Sequence, residues 1–161
     1  MFIRDDYSLN KIDLVHLREN IGVVPQDSFL FSDTIINNIR FGNEKASKKE
    51  IEKVCEIAGI HKEILKFKDQ YNTMLGERGV NLSGGQKQRV CIARALLKKP
   101  KILIMDDCLS ALDTETEEKI IKSLNEYIKG TTTIISSHRI SSIQNLDKII
   151  VLNDGKICLL Y

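Results

Sequence analysis

The sequence predicts an α/β fold: a mainly parallel sheet, an inserted helical subdomain and a C-terminal β-hairpin. Three observations carry that prediction. "KILIM" (101–105) is a continuous apolar run, "TETEEKIIKSLNEYIKG" (114–130) is an amphipathic helix, and "TTTIISS" (131–137) is a second, β-branched run. Strand, helix, strand in this order is the unit from which parallel sheets are built.

Taken in order along the chain, "IGVVPQD" (21–27) predicts a short strand that breaks at Pro25. From Thr34 to Leu97 the signals are almost exclusively helical. Ser47 to Glu50 forms a capping-box pattern ahead of Ile51, Val54, Cys55 and Ala58, and Gly59 ends that segment. Ser83 to Gln86 repeats the S-x-x-Q pattern and opens the helix "QKQRVCIARALL". The run at 101–105 is expected to be a strand covered on both faces. In the helix from about 114 to 129, Ile120, Ile121, Leu124, Tyr127 and Ile128 share one face, glutamates fill the first turn, and Gly130 stops it. "KIIVLNDGKICLL" predicts a hairpin turning at Asn153, Asp154 and Gly155, placed at the edge of the sheet. These elements divide the 161 residues into an α/β part (1–27 and 98–161) and a helical subdomain (28–97).

Composition narrows the function classes. The chain is 42% hydrophobic and 29% charged, a globular balance, and its net charge of +2 gives no reason to expect a nucleic-acid partner. No apolar run approaches the ~20 residues of a membrane helix. Residues 1–20 hold Arg4, Asp5, Asp6 and Lys11 and no long apolar stretch, so no signal peptide is expected. Cys55, Cys91, Cys108 and Cys158 form no C-x-x-C pair and read as free thiols of a reducing compartment rather than a zinc site.

Four places could carry chemistry. Gly84 and Gly85 follow the Ser83 cap, and two readings stand: a well-capped buried helix, or a turn whose bare backbone lets an anion approach free N–H groups. Asp106 and Asp107 follow the apolar strand, at the edge where open α/β sheets bind ligands. Because successive strand residues face opposite ways, one carboxylate could hold Mg²⁺ and the other face a reacting atom; the alternative is a pair of capping acids. His138 and Gln26 also follow strands, and each alone would be unremarkable.

Together these pieces resemble the nucleotide-binding domain of ATP-binding cassette (ABC) transporters, over nearly the whole chain and in the family's order. "LSGGQ" (82–86) matches the signature motif, "ILIMDD" looks like the Walker B strand, and "SALD" (110–113) is similar to the D-loop. Gln26 stands at the Q-loop glutamine, His138 at the switch histidine, and "GERG" (76–79) is similar to the exporter-type segment before the signature. The resemblance implies a P-loop NTPase-like fold. It also implies that Asp106 helps hold Mg²⁺, that Gln26 reaches the metal and the attacking water, and that His138 contacts the γ-phosphate. Asp113 would communicate across a dimer. Ser83, Gly84, Gly85 and Gln86 would serve an ATP held mainly by a second nucleotide-binding domain. "LFSDTIINNIRFG" (30–42) is like the stretch after the Q-loop in exporters, implying export driven through attached membrane helices, with this domain on the cytoplasmic face.

The sequence departs from the family pattern in three places. No G-x-x-x-x-G-K-[ST] loop is present, so the chain is expected to be a fragment with an incomplete core, inactive alone. Asp107 stands where hydrolysing sites carry glutamate, which resembles one half of a heterodimeric exporter with a non-identical partner. Cys91 replaces a small apolar residue in the signature helix and is expected only to pack. Two alternatives compete: a non-catalytic truncated module, and a DNA-repair-type ATPase. The 56 residues between Gln26 and Ser83 leave no room for the coiled coil of the latter.

Overall fold

The computed structural model describes residues 3–4, 7–8, 12–79 and 81–160. Two short strands, β1 (Ile3–Arg4) and β2 (Tyr7–Ser8), pair antiparallel. Helix α1 (Leu14–Asn20) follows and runs directly into β3 (Ile21–Val24). Next come α2 (Ile35–Arg40), α3 (Lys48–Ile57), α4 (His61–Ile64) and two 3₁₀ turns at Gln70–Asn72 and Glu77–Gly79. Helix α5 (Gly84–Leu97) leads to β4 (Ile102–Asp106), α6 (Thr114–Tyr127), β5 (Thr132–Ser136), α7 (Ile140–Ile143), β6 (Ile150–Asn153) and β7 (Lys156–Leu160).

Strands β3, β4 and β5 lie side by side in that order, all parallel. The register sets Val24 beside Met105, and Asp106 beside Ser136, so the three C-terminal ends share one edge. Between β3 and β4 every described element is helical, apart from an isolated bridge joining Thr34 to Met74.

The core sits where α5 meets its neighbours. Its residues 88–93 and 95–97 are buried on every side, as expected of a helix enclosed by others rather than lying on a surface. Helices α2 and α3 and strand β3 pack around it. Both expected capping boxes form: the side chains of Ser47 and Ser83 accept from the amides of Glu50 and Gln86, which reach back in turn. Ile51, Val54, Cys55 and Ala58 are buried as their spacing predicted, and Gly59 leaves α3 at φ +69°. On α6, Ile120 and Leu124 are buried, with Ile121, Tyr127 and Ile128 packed against the core.

Two expectations need correction. Strand β4 is covered on one face only: Leu103 and Met105 are buried, but Ile102 and Ile104 are half-buried on a face they share with Val23 and Ile134, each more than half exposed. The apolar run reflects side chains on both faces without both faces being packed. The C-terminal hairpin forms, with Asp154 (φ +48°) and Gly155 (φ +71°) supplying its left-handed turn, but it is a separate two-stranded sheet. Strands β6 and β7 pair with each other, and the hairpin adds no strand to the parallel sheet.

Candidate functional site

The parallel sheet delivers Gln26, Asp106, Asp107 and His138 to one edge. Each follows the C-terminal end of its strand, and strands in a sheet lie about 4.8 Å apart. Gln26 lies just past β3, exposed, and His138 just past β5, also exposed. Asp106 is the last residue of the central strand β4 and is exposed; its Oδ1 accepts a hydrogen bond from Ser136 Oγ at 2.6 Å. Among the described residues no protein group donates to its other oxygen.

Asp107 does not continue the strand. It sits at φ +41°, in the left-handed region that costs most residues energy but that Asp and Asn enter more readily. Its side chain is therefore turned by the backbone, not by the alternation of a strand, which replaces the opposite-faces argument drawn from sequence. Its amide donates to the carbonyl and to the hydroxyl of Ser136, both at 3.1 Å, and Ser110 Oγ donates back to its carbonyl at 2.8 Å.

From Asp107 the chain turns through Cys108–Leu112 into α6. Asp113 caps that helix, its Oδ1 accepting from the Thr116 amide at 2.9 Å, and this bond holds the carboxyl below the usual carboxylate range. Arg139, next to His138, ties the turn down. It donates to the carbonyls of Ser110 (3.0 Å) and Leu112 (2.9 Å) and to the buried carboxylate of Glu117 (2.6 Å). Burial pushes the Cys108 thiol up to about 12, so it stays protonated and inert.

The signature turn reaches the same segment from the other side. Gln88 Oε1 accepts from the Ala111 amide at 3.2 Å. A Cβ on Gly85 would lie 3.0 Å from Leu112 Cδ2 and 3.1 Å from the Ala111 carbonyl oxygen, so any side chain here would crowd the turn. A Cβ on Gly84 would meet only Ala111 Cβ, at 3.7 Å, an ordinary contact. The chain's own packing therefore accounts for one glycine of the pair and not the other. Ser83 is exposed; its hydroxyl oxygen accepts from the Gln86 amide, which leaves its proton available.

The Gln86 side chain is committed within the chain. Its Oε1 accepts from the Ser83 amide at 2.9 Å and its Nε2 donates to Glu63 Oε2 at 2.8 Å, so it braces the turn instead of facing out with Ser83 and Gly84. Glu63, on α4, also holds Arg89, which reaches on to the carbonyls of Gly59 (2.9 Å) and Gly85 (3.2 Å). Burial opposes ionisation of Glu63, but the donors Arg89 and Gln86 outweigh it and its net shift is downward.

Two polar groups thus emerge: Gln26, Asp106, Asp107 and His138 on the sheet edge, and Ser83, Gly84 and Gly85 at the start of α5. The turn 108–112 touches both. Among the described residues no hydrogen bond joins Ser83 directly to the sheet-edge group. Ser136, Arg139, Glu63 and Gln88 were not predicted as site residues, although Arg139 stands beside His138 behind a strand. Among the described residues no cluster of three or more His, Cys, Asp or Glu could hold a metal ion, and no helix is long and apolar enough to cross a membrane.

This arrangement of a parallel sheet edge and a glycine-started helix is that of an exporter-type nucleotide-binding domain, and the chain belongs to the ABC transporter family, which it matches over residues 3–110. It is 54% identical over 151 residues to the multidrug resistance-like ATP-binding protein MdlA of Buchnera aphidicola, and 50% identical over 153 residues to ATP-binding cassette sub-family B member 6 of Xenopus tropicalis. These alignments cover 93% and 95% of this chain but 26% and 18% of the relatives, so the chain spans about a quarter of their length or less. A solved bacterial Atm1-family ABC exporter with ATP bound superimposes with a TM-score of 0.93 at 42% identity, covering 97% of this chain and 28% of the exporter chain.

Proposed function

We propose that this chain is part of the ATP-binding and ATP-hydrolysing domain of an ABC exporter, acting on the cytoplasmic face of a membrane. Residues 28–97 form its helical subdomain, and residues 1–27 and 98–161 its share of the catalytic core. Two such domains close head to tail with ATP between them, and hydrolysis reopens them, driving attached transmembrane segments. The observation that carries this reading is Gly84, a glycine at a capped helix start that no contact within the chain requires. The exposed Ser83 hydroxyl and the free first-turn amides suit the γ-phosphate of an ATP bound mainly by the partner domain.

At the sheet edge the donor set suits Mg²⁺, which takes one or two carboxylates together with water and phosphate oxygens rather than an all-protein cage. Asp106 offers one oxygen, with the other held by Ser136. When bound, Mg²⁺ neutralises charge on the phosphates. Gln26 orients the attacking water, His138 reaches the γ-phosphate, and Asp113 reports across the dimer. Asp107 is one methylene shorter than glutamate, and a displacement of about 1 Å can cost ~10²-fold in rate. We therefore assign Asp107 to a weakly hydrolysing site, while the signature turn completes the active site of a non-identical partner.

The absence of a G-x-x-x-x-G-K-[ST] loop from these residues supports a second reading, in which the chain alone is a non-catalytic module. Calorimetric titration with Mg·ATP separates the two: tight binding by the isolated chain removes the second reading. In a complete exporter carrying this segment, paired with its partner domain, Asp107→Glu should raise ATP turnover at this site about tenfold or more. An unchanged rate would overturn the assignment of a weak site. The similarity to exporters, and the short span from Gln26 to Ser83, speak against a DNA-repair ATPase.

A further inference from the structure

We propose that Ser136 is the positioning residue for the metal-binding carboxylate, a role resting on the reading of Asp106 as the Mg²⁺ residue. Ser136 ends β5 directly opposite Asp106 in the parallel register. Its hydroxyl has one proton to give and lone pairs to accept with, and both capacities are used on the tandem acids. It donates to Asp106 Oδ1 at 2.6 Å, a short bond to an ionised acceptor, and accepts from the Asp107 amide at 3.1 Å.

These two bonds have separate consequences. The first fixes the rotation of an exposed carboxylate that would otherwise sample several rotamers, and keeps its second oxygen free of protein donors. The second adds to the bond that the same amide gives the Ser136 carbonyl, in a residue whose φ of +41° is off the strand path, so the hydroxyl reinforces the turn that separates the two carboxylates. An apolar side chain at this register position would do neither. Partners that orient a ligating carboxylate typically change metal affinity about 10- to 100-fold when removed.

The test compares wild type, Ser136→Ala, Ser136→Thr and Asp106→Asn as the full chain, with ATP present and Mn²⁺ as the probe. NMR follows paramagnetic broadening of the amides around Asp106 and, without metal, hydrogen exchange at the Asp107 amide. The expected result is a half-broadening Mn²⁺ concentration ~10-fold or more higher in Ser136→Ala, restored in Ser136→Thr, with broadening abolished in Asp106→Asn. Exchange at Asp107 should quicken in Ser136→Ala and recover in Ser136→Thr. A Ser136→Ala variant that titrates like wild type overturns the role of Ser136 and leaves Asp106 as the metal residue. No broadening near Asp106 in wild type overturns that assignment, and the inference with it. If Ser136→Ala fails to fold, the threonine variant decides: a titration unlike wild type despite its hydroxyl and a native spectrum overturns the proposal.

Discussion

Replacing the two signature glycines one at a time should separate a packing requirement from a ligand requirement. Neither has a left-handed φ, so alanine fits the backbone at both positions, and removing a glycine from a helix gains up to ~1 kcal/mol. At position 84 the new methyl would meet only Ala111 Cβ at 3.7 Å, so Gly84→Ala should leave stability unchanged within ~0.5 kcal/mol, or raise it slightly. At position 85 the methyl would lie 3.1 Å from a backbone oxygen and 3.0 Å from Leu112 Cδ2. The leucine can rotate but the carbonyl, in a turn held by Gln88 and Arg139, cannot easily withdraw. Crowding of this kind costs about 1–3 kcal/mol, so Gly85→Ala should be destabilised by ~1 kcal/mol net, lowering Tm by ~2–4 °C. Urea and thermal unfolding of the chain measure this difference. ATP turnover at the partner's site in the complete exporter should fall ~10²-fold for Gly84→Ala, whose methyl adds bulk at the exposed helix start, and should fall for Gly85→Ala through displacement of the turn that its methyl crowds. Equal destabilisation of the two, or full turnover in Gly84→Ala, would refute the reasoning.

Two further outcomes follow from the bracing around the turn. Arg139→Ala removes donors to Ser110, Leu112 and Glu117 at once and should cost ~2–4 kcal/mol in urea unfolding, with Arg139→Lys recovering only part because an ammonium cannot reproduce the fork. Glu63 has its folded pKa depressed, so its contribution is present above the unfolded value near 4.3 and is lost as pH falls through the lower folded value. Glu63→Gln should therefore be less stable than wild type by ~1–2 kcal/mol at pH 7, a figure kept small by partial solvent screening. The gap should narrow as pH falls below the unfolded value, which chemical denaturation at a series of pH values would reveal.

The elements with local signals were legible from sequence. The capping boxes at Ser47 and Ser83, the stop at Gly59 and the strand runs of β3, β4 and β5 all depend on residues within a few positions of one another. Helix α1 was not read from the sequence: Asp13 caps it and Leu14 and Leu17 stand three apart, but seven residues are too few to sustain a stripe, and none of them is buried in the fold. Site residues that follow strands, such as Gln26, Asp106 and His138, could be placed on one edge by topology alone. Their supports could not. Ser136 meets Asp106 across 30 positions, Gln86 meets Glu63 across 23, and Arg139 meets Leu112 across 27, and no periodicity encodes such pairs. The hairpin was legible as a hairpin but not in its relation to the sheet, since that depends on what β5 pairs with.

The left-handed backbone at Asp107 ties two choices together that are usually made separately. A residue there meets a torsional demand whatever its charge, and the residues that tolerate this torsion best are glycine, asparagine and aspartate. A saturation library at the position would then sort its folded members by how readily each accepts an inverted φ. Charge would sort only those that fire. On that scale asparagine is the conformational twin of the native residue, and glutamate enters the same torsion as a poorer fit, with its reach gained against a small local strain.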